Sequence, residues 1–129
     1  MSKDIIRVNG KTIGDKWLQS QFGYLNWKFF NNRIPIRIEV KFVDNCGHKV
    51  GKKFKRVDGF FDQANDSISI DSGLRNFPDF AMITLAHEMA HAHLRFQGYT
   101  GWTMDAGHGT RFQIEIGRLW NEGFYDGIL

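Results

Sequence analysis

A chain of 129 residues, 42% hydrophobic and 24% charged, has the composition of one globular domain and excludes a disordered or low-complexity protein. Its one cysteine, Cys46, excludes an internal disulfide and a thiolate-built zinc ribbon within this sequence, and fits a reducing compartment. The formal charge of +3 is a mild basic excess, so its distribution says more than its total. Met1-Ser2-Lys3-Asp4 lacks the apolar stretch of a secretion signal, and no apolar run reaches the roughly 18 residues of a membrane span. The expectation is a single domain over 1–129, with its core at about 15–122. It should be soluble, monomeric and not secreted, cytoplasmic or associated with a nucleoid or nucleus, with no membrane partner.

Asp15 to Asn31 sets Trp17, Leu18, Phe22, Leu25, Phe29 and Phe30 at spacings of three and four, which predicts an amphipathic helix with Asp15 as its N-cap. Asn31-Asn32-Arg33-Ile34-Pro35 ends it, because the residue before a proline is pushed out of the α region. Ile36 to Phe42 alternates apolar and charged residues, a strand buried on one face. Asp44-Asn45-Cys46-Gly47 reads as a turn. Lys49, Lys52, Lys53, Lys55 and Arg56 then crowd together beside His48, which is expected to be exposed. This is a solvated hairpin or a contact for nucleic acid or another polyanion.

Phe60-Phe61-Asp62 is expected as a second strand and Ser67-Ile68-Ser69-Ile70-Asp71 as a third, with Gln63 to Asp66 turning between them. Gly73 and Pro78 bracket the entry to a long helix, where Pro78 suits the first turn and Asp79 meets the positive end of the helix dipole. Phe80, Ile83, Thr84, Leu85 and Met89 give that helix a wide apolar surface, and Gly98 suits a left-handed C-cap. A loop through Trp102 to Gly107 follows, then a last helix opened by His108-Gly109-Thr110. Its apolar positions are Phe112, Ile114, Ile116, Leu119 and Trp120. Helix, three short strands, helix, helix makes an α+β domain with helices on one face of a small sheet.

The long helix carries His87-Glu88-Met89-Ala90-His91. Positions four apart lie about 40° apart around a helix and one turn apart along it, so both imidazoles can offer a nitrogen to one ion. Glu88, about 100° from His87, flanks that spot without ligating. A carboxylate there can act as general base toward a metal-activated water, the chemistry of a metallopeptidase. A catalytic zinc takes three protein ligands and keeps a fourth position open. The metzincin extension would need Gly where Leu94 stands and His where Gln97 stands, so the third ligand is sought downstream. His108 is preferred, because Gly107 and Gly109 free its backbone to approach a metal. Glu115 is the rival, as a thermolysin-like ligand, or it orients one of the histidines. His93 falls about 200° from His91 and cannot reach the same ion, so a packing or surface role is expected.

Leu85-Ala86-His87-Glu88-Met89-Ala90-His91 together with Gly107-His108-Gly109-Thr110-Arg111-Phe112 resembles the SprT-like metallopeptidase domain, the catalytic module of Spartan-type proteases. That pattern is a His-Glu-x-x-His helix followed by Gly-His-Gly-x-x-Phe or Trp. Leu25 through Pro35, and Gly59-Phe60 with Ser67 to Ile70, resemble the family's first helix and its strand pair. The resemblance implies a minimal zincin-like fold, zinc on His87, His91 and His108, and Glu88 as general base and acid. It also implies protein substrates associated with or crosslinked to DNA, with single-stranded or damaged DNA as partner. Many relatives carry a four-cysteine zinc ribbon, which Cys46 alone cannot build, so DNA contact depends on whether Lys49, Lys52, Lys53, Lys55 and Arg56 supply it. Tyr99, Tyr125 and Arg111 are candidates, by residue type, to hold a tetrahedral oxyanion, and Trp102 is expected at the cleft rim. The alternatives are a zinc-holding adaptor with little turnover and a gluzincin-like peptidase using Glu115.

Overall fold

Alternation and helical spacing put seven strands and three α-helices along the chain. In order these are β1 (Ile6–Val8), β2 (Lys11–Ile13), α1 (Asp15–Phe30), β3 (Glu39–Val43), β4 (Gly47–Val50), β5 (Lys53–Arg56), β6 (Gly59–Asp62), β7 (Ser67–Asp71), α2 (Pro78–Phe96) and α3 (Thr110–Asn121). A 3-10 turn at Ser72–Asn76 joins β7 to α2. The computed structural model describes residues 6–8, 11–99 and 108–128, and the elements are those of the described residues.

The central sheet has the order β3-β7-β6, with β3 parallel and β6 antiparallel to β7. Val40 pairs with Ile68, Phe42 with Ile70 and Phe61 with Ile68, and all five side chains are buried. Glu39 and Lys41 point to the exposed side of the same strand. One apolar face therefore takes the helices, as expected. Leu18, Phe22, Leu25, Phe29 and Phe30 of α1 and Ala81, Leu85, Ala86, Met89 and Ala92 of α2 close the core over it.

β3 lies at an edge of that sheet, and an open edge is a template for unwanted strand pairing. Here α1 covers it: Asp15 Oδ1 accepts from the Phe42 N–H at 2.8 Å and Gln19 Oε1 from the Val40 N–H at 3.1 Å. Asp15 is thus not the N-cap. Gly14 holds that position in extended backbone without a side-chain cap, and the Asp15 carboxylate is committed to β3. The strand expected from Ile36 begins at Glu39, because the Ile38 N–H closes a turn onto the Pro35 carbonyl at 3.2 Å. Ile36 is left exposed while Ile38 is buried.

Asn26, buried in α1, donates to the Ile34 carbonyl at 2.7 Å and accepts from its N–H at 3.2 Å. These bonds hold the Asn31–Pro35 turn against the helix. Helix α2 ends as its sequence predicts. Gly98 takes φ +98°, the Tyr99 N–H reaches the Leu94 carbonyl at 2.9 Å and the Gly98 N–H reaches that of Arg95 at 3.1 Å. This crossed pair satisfies carbonyls that the last turn would leave bare.

Three expected core positions are solvent-facing instead: Phe80, Ile114 and Trp120 are all more than half exposed. On α3 the buried stripe runs through Phe112, Glu115 and Leu119. Ile114 lies about 200° from Phe112 and cannot share it. Two antiparallel hairpins flank the sheet, β1 with β2 and β4 with β5. The second is the basic hairpin expected; the first was not expected. No helix among the described residues is long and apolar enough to cross a membrane.

Candidate metal centre

Helical spacing brings the first two histidines together: the His87 and His91 ring centroids are 5.0 Å apart. His108, just before the Gly109 N-cap of α3, meets them from the facing helix. Its Nε2 stands 3.1 Å from His87 Nε2, and its ring centroid is 5.2 Å from that of His91. One nitrogen from each of the three lies within 4.8 Å of the others, so the group is close enough to hold a metal ion.

Phe112, one turn along α3, forms the floor. It stacks on His91 at 4.4 Å and 20° and meets the His87 and His108 rings at 4.8 Å each. One nitrogen of each imidazole faces those of the other two above this apolar ring. In the sequence Phe112 counts as an apolar position of the last helix and as part of a motif, and its place beneath the three rings depends on how α3 packs on α2.

The donor set fits zinc. Tetrahedral zinc with bonds of about 2.0–2.1 Å separates its nitrogen ligands by about 3.3 Å, close to the His87–His108 separation. Burial, and next the charge of His108, push the His87 pKa down to about 4. At neutral pH His87 is therefore the neutral imidazole that a metal requires.

Glu88 is buried between α2 and β6, with Oε2 3.8 Å from His87 Nε2. Burial raises its pKa to about 8, against the opposing effect of the Phe61 backbone N–H that donates to it. Gly59 makes this approach of strand to helix feasible. A Cβ there would stand 2.6 Å from Thr84 Cγ2 and 3.2 Å from Glu88 Cγ.

Glu115 is not in the histidine group. Its Oε2 accepts from His93 Nδ1 at 2.8 Å and from Arg118 Nη2 at 3.2 Å. Burial pushes the Glu115 carboxyl up, but the bonds from His93 and Arg118 outweigh it and leave its pKa below the ordinary value. The carboxylate orients a histidine, as one expectation had it, but that histidine is His93 rather than one of the converging three. His93 has the packing role expected, buried with its ring edge-on to Phe30.

Among the oxyanion candidates, Tyr125 packs on Trp120 and Phe124 beyond the far end of α3. The whole of α3, 12 residues, separates it from His108 along the chain. Tyr99 packs against Ala90, Leu94 and Phe112, with the Arg111 guanidinium 4.9 Å over its ring, so that pair remains on the His108 side. Trp102 and the rim loop lie outside the described residues.

The basic block is divided by the fold. Lys49, Lys52, Lys53 and Lys55 are exposed on the β4–β5 hairpin, and Lys53 and Lys55 share one face by alternation. Arg56 instead pairs with Asp71 at 3.0 Å, whose carboxylate also takes the Cys46 and Gly73 N–H groups. Arg56 thereby ties the hairpin to the sheet. The side chain of His48 lies outside those described. A separate cavity of about 390 Å³, lined by Phe42, Asp44, Ser72 and Arg75, includes none of the histidines. No family model, curated protein or solved structure matches this chain.

Proposed function

We propose that this α+β domain is a zinc-dependent endopeptidase of zincin-like, SprT-like type, with zinc on His87, His91 and His108 and Glu88 as general base and acid. One observation carries the reading: three histidine nitrogens converge within 4.8 Å, with a buried carboxyl beside them. A zinc ion held by His87, His91 and His108 would supply Lewis acidity, lowering the pKa of a water there toward about 7. Glu88 takes the proton from the attacking water and then gives it to the leaving amine. Burial raises the proton affinity of this carboxyl in the metal-free fold, and a dication beside it would favour the ionised form that accepts the proton. Neutral His87 stays available as a ligand, and Phe112 keeps water from beneath the rings. A purely structural zinc site has no use for a carboxyl buried at a cost next to its ligands, which favours turnover over an adaptor role.

The test is Glu88→Gln, which keeps shape and removes the proton acceptor. Zinc content should stay at the parent level while hydrolysis of an unfolded protein such as casein falls by about 10²–10⁴-fold. Cleavage by the Gln variant at the parent rate would rule out the enzymatic reading.

The substrates proposed are DNA-associated proteins, and the exposed lysines of the β4–β5 hairpin support contact with a phosphate backbone. Lys52, Lys53 and Lys55 changed together to Glu should weaken binding to single-stranded DNA. The log–log salt dependence should flatten by about 0.7 for each phosphate that is no longer neutralised, while hydrolysis of a DNA-free unfolded substrate persists. A parent protein that shows no DNA binding even at low salt removes DNA from the reading.

A further inference from the structure

We infer that the cluster of buried His93 and Glu115 with half-buried Arg118 is a clamp that sets the position of His108, the third member of the metal centre. The inference rests on the zinc reading above and adds positioning residues to it. His93 and Glu115 are both buried, and their 2.8 Å contact joins α2 to α3. Arg118 extends the contact to the third helix. Its Nη2 donates to Glu115 at 3.2 Å, and its Nη1 donates to Glu122 at 2.7 Å and to the Phe29 carbonyl in the last turn of α1. Its guanidinium lies 5.1 Å over the Phe30 ring. A carbonyl at a helix C-terminus is a natural seat for a cation. All three helices are therefore pinned at one polar point inside an otherwise apolar contact.

Apolar residues of the same volume would hold these helices together as firmly, since buried ionic groups lose much of their attraction to desolvation. What the polar cluster adds is direction: the hydrogen bond is met at one rotation of α3 on α2. Glu115 lies on the buried stripe of α3 one turn after Phe112, and His108 stands just before the Gly109 N-cap. Phe112 sits between them, in contact with the His108 ring, and Gln113 Nε2 donates to the His108 carbonyl at 3.3 Å. A rotation of α3 that releases Glu115 from His93 thus carries His108 away from His87. A helix with its side chains has a radius of about 5–6 Å, so turning it by 20° moves a side-chain tip by about 2 Å. Metal–nitrogen distances tolerate about 0.2 Å. The clamp holds α3 within the range where His108 can ligate.

The experiment pairs His93→Leu with Glu115→Met, which keeps the buried volume and removes the directed bond. Zinc affinity is measured by competition with a chelator, ligand geometry by the visible absorption of the cobalt(II)-loaded protein, and fold by thermal unfolding without metal. The double variant should unfold near the parent temperature, bind zinc about 10–100-fold more weakly, and lose intensity in its cobalt bands as His108 disengages. Glu115→Gln, which keeps an oxygen acceptor for His93, should bind within a few-fold of the parent. In a His108→Ala background the double substitution should cost no further affinity, because the ligand it positions is already gone.

A folded double variant with parent affinity and spectrum overturns the inference, and so does an equal loss of affinity in the His108→Ala background. If the double variant does not fold, Arg118→Lys decides. Its single ammonium cannot span Glu115, Glu122 and the Phe29 carbonyl, so a drop in affinity that vanishes in the His108→Ala background supports the clamp, and any other result overturns it. A parent protein that binds no zinc overturns the metal-centre reading itself. A parent that binds zinc through His108 but is indifferent to the clamp overturns this inference alone.

Discussion

His91 and His93 stand two residues apart on α2, about 200° around its axis, and the fold uses them in opposite ways. His91 faces two other imidazoles, with a phenyl ring stacked at 4.4 Å. His93 turns inward, where a carboxylate takes its Nδ1 proton at 2.8 Å. A metal ligand must present a lone pair to the ion, and here one nitrogen of each ring is turned toward those of the other two. A structural histidine has its nitrogen committed to a partner in the core. Residue type says nothing about this difference, and angle around the helix decides it.

The sharpest way to break the comparison is to remove one histidine from each side. His87→Ala should lower zinc affinity by more than the roughly 10–100-fold that losing a supporting partner costs. The metal-free protein should unfold near the parent midpoint, because His87 is part-exposed at the rim of the fold. His93→Ala should act in reverse. It removes the buried hydrogen bond to Glu115, which keeps Arg118 as its partner, and should cost about 1–3 kcal/mol in denaturant unfolding, with a zinc loss smaller than that of His87→Ala. If both variants lost zinc equally and stability equally, the division of labour would be mistaken.

A smaller effect tests how tightly the Glu88 side is built. Gly59→Ala puts a methyl group 2.6 Å from Thr84 Cγ2 and 3.2 Å from Glu88 Cγ, so β6 must move off α2. Overpacking of this kind costs about 1–3 kcal/mol. Hydrolysis should fall with zinc content unchanged, because β6 meets Glu88 through the Phe61 backbone. An Ala variant of parent stability and activity would show that the strand has room to give.

Much of the scaffold is legible in the sequence because period two and period 3.6 are local signals. Val40, Phe42, Ile68 and Ile70 alternate inward as expected, and the His87–His91 pairing follows from helical geometry alone. The β1–β2 hairpin was not among the expected elements, although Asn9-Gly10, between Ile6-Arg7-Val8 and Lys11-Thr12-Ile13, is a strong hairpin dipeptide. Other features are out of local reach. Asp15 serves β3 across 27 positions of sequence, and His93 finds Glu115 across 22. Each pairing depends on how one element crosses another. Glu115 shows the limit well: its spacing from His108 makes it a plausible ligand, and only the crossing of α2 and α3 assigns it to His93. Ile114 and Trp120 are core candidates by hydrophobicity, which does not say which stripe of α3 faces inward.

The mildest consequence of the contrast lies in the pH dependence of the metal-free protein. Burial raises Glu88 from 4.5 to about 8 and, with the charge of His108 second, lowers His87 from 6.5 to about 4. From about pH 4.5 to 6.5 the folded state keeps a proton on Glu88 that the unfolded chain has lost, and the unfolded chain keeps one on His87 that the folded state has lost. These two contributions oppose each other, so they leave stability nearly level there. Above pH 6.5 the His87 contribution is complete, and Glu88 alone remains. The unfolded state binds fewer protons, so stability falls as pH rises toward about 8 and then levels. Denaturant midpoints of chelator-treated protein at several values between pH 6.5 and 8 should show this decline. Glu88→Gln, which has no proton to lose, should remove it. Added zinc should remove it as well, because a dication beside Glu88 favours the ionised form. Parallel pH profiles for the parent and Glu88→Gln would mean that Glu88 is not held protonated in the metal-free fold, and the origin of its basicity would have to lie elsewhere than in burial.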